Sequence, residues 1–325
     1  MPGTMWGMKQ TTLGLDWTSK RTRKREFLDE MERVVPWAAL VALIEPHSPR
    51  AKTGRPAFPI ETMLRIHFMQ NWFTFGDQAM EEALIDTPLY RGFARLNVDV
   101  DRLPDAITIL RFRHLLERHG LAQQMFVAVN ELLAAKGLML KSGTAVDATI
   151  INAPSSTKNS SGKRDPDMHQ TKKGQQWYFG MKAHVGTDLE TGVVHSLVTT
   201  PANAADVTQV DGLLHGGETD VFADAGYQGA KHWSEAPVKW HIAMRPGKRR
   251  VLDKSSELGR LVDELERVKA RIRAKGEHAF RVIKRQFGFT KVTYRGLAKN
   301  NAKLHTLFML GNLWMLRKRP QLCGA

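Results

Sequence analysis

Four side chains in the C-terminal part of the sequence stand at spacings that could do chemistry. They are Arg273, Glu277, Arg281 and Lys284, separated by four, four and three residues. At about 100° per residue an α-helix puts all four on one face. Phe280, Ile283 and Phe287 form a separate apolar stripe roughly a quarter-turn round. Such a helix buries one side and offers a carboxylate set among three cations on another. A plain surface helix more often interleaves Glu and Lys. One acid among three bases suits a metal-binding carboxylate presented to a polyanion.

That chemistry needs further carboxylates, and two stand in strand-like settings. Asp147 lies inside Ala145-Val-Asp-Ala-Thr-Ile150, and Asp224 ends Val221-Phe-Ala-Asp. An uncompensated carboxylate in a buried strand is costly. Either aspartate alone could simply cap a nearby helix. Taken with Glu277, the two read differently. Like charges 4 Å apart repel by about 4 kcal/mol at an effective dielectric near 20, so three converge only around a cation. Carboxylate oxygens without Cys or a His-x-His pair favour Mg²⁺, with Mn²⁺ as a substitute, over Zn²⁺. Two such ions can serve both oxygens of a phosphodiester displacement, while Arg and Lys hold phosphates.

The elements that must position these acids follow from periodicity. Residues 1–30 read as a basic, partly disordered arm with Lys20, Arg21, Arg23, Lys24 and Arg25. Residues 31–140 read as helices. Pro59 opens one, Thr87-Pro88 another, and Asp105 caps a third that Gly120 ends. This third helix carries Arg111, Arg113, His114 and Arg118, either along DNA or as a solvated basic face. From 141 to 325 the pattern changes to strands and helices. Thr144–Ile151 is β-branched, and 155–173 reads as a mobile basic loop. The segments 179–186 and 193–200 form a hairpin. Short strands are expected at 220–224 and 239–244, and a short helix at 206–214. Leu258, Leu261, Leu265, Val268 and Ile272 mark a long amphipathic helix, and a final apolar helix spans about 303–316. The fold class is mixed α/β: a mixed sheet flanked by helices, behind a helical N-terminal domain.

Composition narrows the partner. The formal charge is +15 at pH 7. Between Arg245 and Lys299 there are 17 Lys/Arg against 6 Asp/Glu. Nucleic acid is the commonest polyanion that such a balance serves. The longest apolar run, Val34–Ile44, is too short to span a bilayer, and no membrane partner is expected. No signal-peptide pattern is present. A single cysteine, Cys323, excludes an intramolecular disulfide and a multi-Cys zinc site. A cytoplasmic, nucleoid-associated protein fits.

The motifs VDATIINAP (146–154), YFGMKAHVGTD (178–188), TTPANAADV (199–207), FADAGYQG (222–229) and GEHAFRVIKRQFGFTKVTYRGLAKN (276–300) resemble, in that order, the bacterial insertion-sequence DDE transposases of the IS-five kind. GRPAFPIETMLRIHFMQNWF (54–73) resembles the N-terminal domain of that family. The resemblance covers roughly 45–318. It implies an RNase H-like core whose triad, Asp147, Asp224 and Glu277, binds two Mg²⁺ ions. It also implies terminal inverted repeats and target DNA as partners, and a homodimer or larger synaptic complex. The family's Tyr-x2-Arg-x3-Glu-x6-Lys pattern matches at Arg273, Glu277 and Lys284 and departs at Ala270. Gly276 weakens the helix beside Glu277 by about 1 kcal/mol relative to Ala, so a bend or restart is expected there. Lys182 and His184 alternate onto one strand face near the site or onto a solvated hairpin face. Lys158, Lys163 and Arg164 could hold DNA. Trp177 and Trp233 are expected to be buried rather than stacked on a base, and Asn203 and Asp206 to cap a helix. The triad alone fits an RNase H-like nuclease without strand transfer equally well, and an inactive DNA-binding derivative remains a third reading.

Overall fold

The computed structural model describes residues 21–48, 56–97, 102–140, 142–160 and 162–323. Most of the basic arm, including Lys20, lies outside them. Its described end starts helix α1 (Arg23–Val34), with Thr22 as N-cap. Helices α2 (Trp37–Ile44), α3 (Ile60–Phe73), α4 (Asp77–Asp86), α5 (Pro88–Phe93), α6 (Ala106–Arg118) and α7 (Leu121–Ala135) follow. Pro59 sits at the start of α3, Pro88 opens α5, and Asp105 accepts from Thr108 N at 2.7 Å to cap α6. α3 is buried on every side, Arg65 included, at 1% exposure. The Arg65 guanidinium pairs with Glu32 and Glu61 and stacks 4.0 Å over Trp37, so a buried cation stitches α1, α2 and α3 together.

The second half builds one mixed sheet from β1 (Gly143–Asn152), β2 (His169–Lys173), β3 (Gln176–Asp188), β4 (Val194–Pro201), β5 (Asp220–Ala223) and β6 (Lys239–Ile242). β1 runs antiparallel to β3 and parallel to β5, and β5 runs parallel to β6. β4 and β2 share the far edge of the long β3. The expected loop 155–173 is therefore shorter than its composition implied. Its end is the edge strand β2, turned back at Gly174 (φ 61°). Its Asp165 and Asp167 accept from Gly296 N and Leu297 N, at the start of the last long helix. The expected helix at 206–214 is two short 3-10 turns.

Three helices follow: α8 (Pro246–Arg250), α9 (Glu257–Arg281) and α10 (Leu297–Leu316), then a final turn, α11 (Pro320–Cys323). One face of the sheet (Ile151, Met181, Ala183, Val185) joins the α9 end, α10 and the N-terminal helices in one apolar core. The opposite face (Val146, Val221, Ala223) packs a smaller cluster around Val210, Leu213 and Tyr227. Asn312 on α10 closes the outer edge of β4, accepting from Val194 N at 2.8 Å and donating to Val194 O at 2.7 Å. α9 inverts the expected amphipathic pattern. Leu258, Leu261, Leu265 and Val268 are exposed, while Gly259, Asp263 and Glu266 are buried.

Candidate active site

Register brings the two aspartates together. Val146 on β1 pairs with Ala223 on the parallel β5, so Asp147 and Asp224 come next, side by side. Strand alternation points both to the face covered by α9. Each has one oxygen engaged by a nearby backbone N–H: Ala148 N donates to Asp147 Oδ1 and Gly226 N to Asp224 Oδ1, both at 2.8 Å. Their second oxygens have no protein donor among the described residues.

The third acid arrives through a close approach. α9 runs through Gly276 as one continuous helix, with no restart there. A Cβ at Gly276 would stand 3.0 Å from Thr187 Oγ1 and 3.9 Å from the Ala145 side chain. Glycine here lets the helix lie against β3 and β1, and the next residue, the exposed Glu277, is near enough for its charge to act on Asp147. Electrostatics registers the convergence. The Asp147 carboxyl is pushed up from 3.8 to about 6, first by burial, then against the Ala148 N–H by the negative charge of Asp224, and against Arg273 by that of Glu277. Among the described residues these three acids are not within 4.8 Å of one another; the one trio that meets that spacing is His195, His215 and Glu218. Three mutually repelling carboxylates, two with an oxygen to spare, fit a hard divalent cation.

The other expected site residues divide. Arg273 stands close enough to Asp147 to oppose its raised pKa. Arg281 is exposed at the end of α9. Lys284 leaves the ideal helix phase, because α9 gives way to a π-turn over Val282–Gln286. Its ammonium donates to Thr149 Oγ1 at 2.6 Å and Ile150 O at 3.1 Å, fastening the turn to β1 just past Asp147. Lys182 and His184 do not join the aspartates: they pair with Ile150 and Ala148 and so point to the opposite face. There Lys182 binds Asp206 at 2.8 Å. His184 is fully buried on Thr200, its pKa lowered by burial to about 4, so it is neutral at pH 7. Asp206 thus holds a lysine as well as opening a 3-10 turn. Arg113 is likewise no solvated cation but is buried against Asp77 and Glu117. Lys158, Lys163 and Arg164 are exposed.

Sequence reasoning missed three features. Trp177 and Trp233 are 63% and 52% exposed rather than buried. Trp177 shares the β2–β3 hairpin with exposed Lys172 and Lys173, a pairing that alternation along the two strands already signals. Tyr227 hides its hydroxyl with no hydrogen-bond partner, and burial and the nearby Asp206, Asp147 and Asp224 hold it protonated.

A sheet of this order and direction, with a carboxylate on each of two adjacent parallel strands and a third on the covering helix, is an RNase H-like core. The profile of the family described as "Transposase DDE domain" matches residues 139–313, and that of "Transposase domain (DUF772)" matches residues 16–115. No solved structure matches the chain. The first match spans more than half of the 325 residues, and the chain belongs to the DDE transposase family. Among the described residues no helix is long and apolar enough to cross a membrane.

Proposed function

We propose that this protein is a DNA transposase that binds the terminal inverted repeats of its element and catalyses metal-dependent strand cleavage and transfer. The observation that carries the proposal is the register of Asp147 and Asp224 on adjacent parallel strands, with Glu277 held over them by the close approach at Gly276. Asp147, Asp224 and Glu277 would hold two Mg²⁺ ions, or Mn²⁺ in their place. Bound there, the metal supplies Lewis-acid activation of the attacking oxygen and charge stabilisation at the leaving oxygen. The protein's own groups orient and restrain. The backbone N–H groups of Ala148 and Gly226 fix the two aspartates, Arg273 biases Asp147 toward its ionised form, and Lys284 anchors the turn after α9.

DNA contacts fall to exposed cations: Arg281 on α9, Lys158 in the loop after β1, and Lys172, Lys173 and Trp177 on the β2–β3 hairpin. Trp177 offers a face for an unpaired base. Burial takes His184 out of this set, and Lys182, tied to Asp206, supports the site from behind. Water first attacks the phosphodiester at the element end and frees a 3′-OH, which then attacks target DNA. Handling two ends at once calls for two or more copies.

The test uses the DNA that flanks this gene. Asp147→Asn should bind the inverted repeat as the wild type does but lose Mg²⁺-dependent cleavage; full cleavage by that variant removes the triad assignment. Products joined to a target plasmid support transposition. Cut but never joined products support a nuclease on the same triad. Binding with neither supports an inactive DNA-binding derivative.

A further inference from the structure

A second donor set gathers at the other end of β1. His195 comes from β4, Thr144 from the start of β1, and His215 and Glu218 from the turn before β5. The turn His215-Gly-Gly-Glu218 folds back through Gly216 (φ 84°), and Glu218 accepts from His215 N at 2.6 Å and Gly216 N at 2.8 Å. The ligand atoms of His195, His215 and Glu218 all lie within 4.8 Å of one another. His215 Nε2 is 3.3 Å from Glu218 Oε1, near the edge of about 3.3 Å that a tetrahedral centre with bonds of about 2.0–2.1 Å imposes. Thr144 Oγ1 stands between, 3.0 Å from His195 Nε2 and 3.1 Å from Glu218 Oε1.

The charge balance also asks for a cation. The Glu218 side chain is fully buried. Among the described residues no Lys or Arg pairs with it; its one ion-pair partner is His215, charged only if protonated. A buried carboxylate needs a compensating charge.

We propose that His195, His215 and Glu218 bind one borderline transition-metal ion, Zn²⁺ by preference, at a structural site distinct from the acid triad. Two imidazoles and one carboxylate are a zinc donor set, whereas Mg²⁺ favours oxygen alone. Thr144 and Asp147 are three residues apart on β1, about 10 Å, and point to opposite faces. The ion would tie β4 and β1 to the turn that enters β5, the strand leading to Asp224.

The test is metal content of the full-length protein after loading with Zn²⁺ and dialysis. Wild type and Asp147→Asn should each retain about one zinc per chain, and Co²⁺ in its place should give the visible bands of a tetrahedral site. His195→Ala and His215→Ala should weaken zinc binding roughly 100-fold or more, beyond the effect of losing an outer contact. No zinc retained by the wild type overturns the proposal without any variant having to fold. Loss of zinc in Asp147→Asn, or wild-type affinity in the double histidine variant, overturns it equally.

A different observation carries a second proposal. Leu258, Leu261, Leu265 and Val268 on α9 are 73, 58, 52 and 44% exposed, at the three-and-four spacing of a two-helix seam. Along the open flank of that seam lie the exposed Glu257 and Glu264, then the exposed Arg271. The other flank turns to the protein body, where Lys269 donates to Ile242 O. Acid toward one end and base toward the other is self-complementary only when two such helices run antiparallel; overlap of the two stripes then centres the pair near Asp263 and sets Glu257 against Arg271 of the second copy. We infer that α9 of a second copy of this chain covers the stripe in that orientation. Sedimentation of the full chain should show a dimer, Leu261→Glu/Leu265→Glu a monomer. Glu257→Arg should weaken the dimer at least tenfold, and adding Arg271→Glu should restore it. A monomeric wild type, or a dimer unaffected by the leucine changes, overturns this pairing and leaves the acid triad untouched.

Discussion

Removing the Asp147 carboxylate should make the metal-free protein more stable. Asp147 ionises near 6 in the folded chain against 3.8 for the free group. A folded pKa above the unfolded one means that the stabilisation is fully present below about 3.8 and is lost as pH rises through about 6. At roughly 1.4 kcal/mol per pH unit, the ionised carboxylate costs as much as ~3 kcal/mol at pH 8. Asp147→Asn keeps the shape and the acceptor for Ala148 N and removes that cost. With an unfolding entropy of about 2 cal/mol/K per residue, ~3 kcal/mol on a chain of this length raises Tm by ~4 °C. The assay is urea and thermal unfolding in EDTA at pH 8 and pH 4.5. The variant should be clearly more stable at pH 8, with the gap narrowing toward pH 4.5. Mg²⁺ should then stabilise the wild type and not the variant. A variant equal to or less stable than the wild type at pH 8 in EDTA would refute the claim that burial and the neighbouring acids penalise the ionised Asp147.

Mg²⁺ competes with that protonation, so cleavage at subsaturating Mg²⁺ should fall on the acid side, with a limb at or below about pH 6 that moves down as Mg²⁺ rises. Arg273→Met should move that limb upward by removing a cation beside Asp147, and Arg281→Ala should leave it in place; pH–rate profiles decide. Gly276→Ala adds helix propensity worth about 1 kcal/mol, yet its Cβ meets Thr187 Oγ1 at 3.0 Å. Cleavage should fall at least tenfold, because displacements below 1 Å are expensive in a reacting geometry, with thermal stability little changed; Thr187→Ala in the same chain should recover most of the rate. Lys284→Met loses two hydrogen bonds to β1 and should cost about 1–2 kcal/mol of stability, read by urea unfolding, whereas Arg281→Ala should stay within about 0.5 kcal/mol.

Much of the sheet is legible from residue type. The β-branched run 144–151 and the turn at 188–192 fall where strands and hairpin stand, because alternation and turn chemistry are local signals. The two aspartates are legible as candidates too, since a lone acid in an apolar strand is conspicuous. What escaped was direction. An ideal helix carries Lys284 onto the face of Glu277, and through the π-turn at 282–286 its ammonium reaches Thr149, on the strand face of Asp147. The leucines of α9 mark an apolar stripe equally well whether it faces the core or a partner, and periodicity holds no information on which. His195 lies twenty residues before His215, and only the pairing of β4 with β3 and of β1 with β5 brings them together. Gly276 reads as a weak point in a helix until the neighbouring strand shows that a side chain there has no room.

The length of α9 has a consequence beyond packing. The leucine stripe centres near Asp263, fourteen residues before Glu277, or ~21 Å of helix at about 1.5 Å per residue. An antiparallel pair puts its two-fold axis near that centre and so sets the two Glu277 carboxylates ~42 Å apart along the helices. That span is about one and a quarter turns of B-DNA, at roughly 34 Å per turn. α9 would then act as a ruler, fixing the stagger between two strand-joining events by counting residues in a protein helix rather than by reading bases.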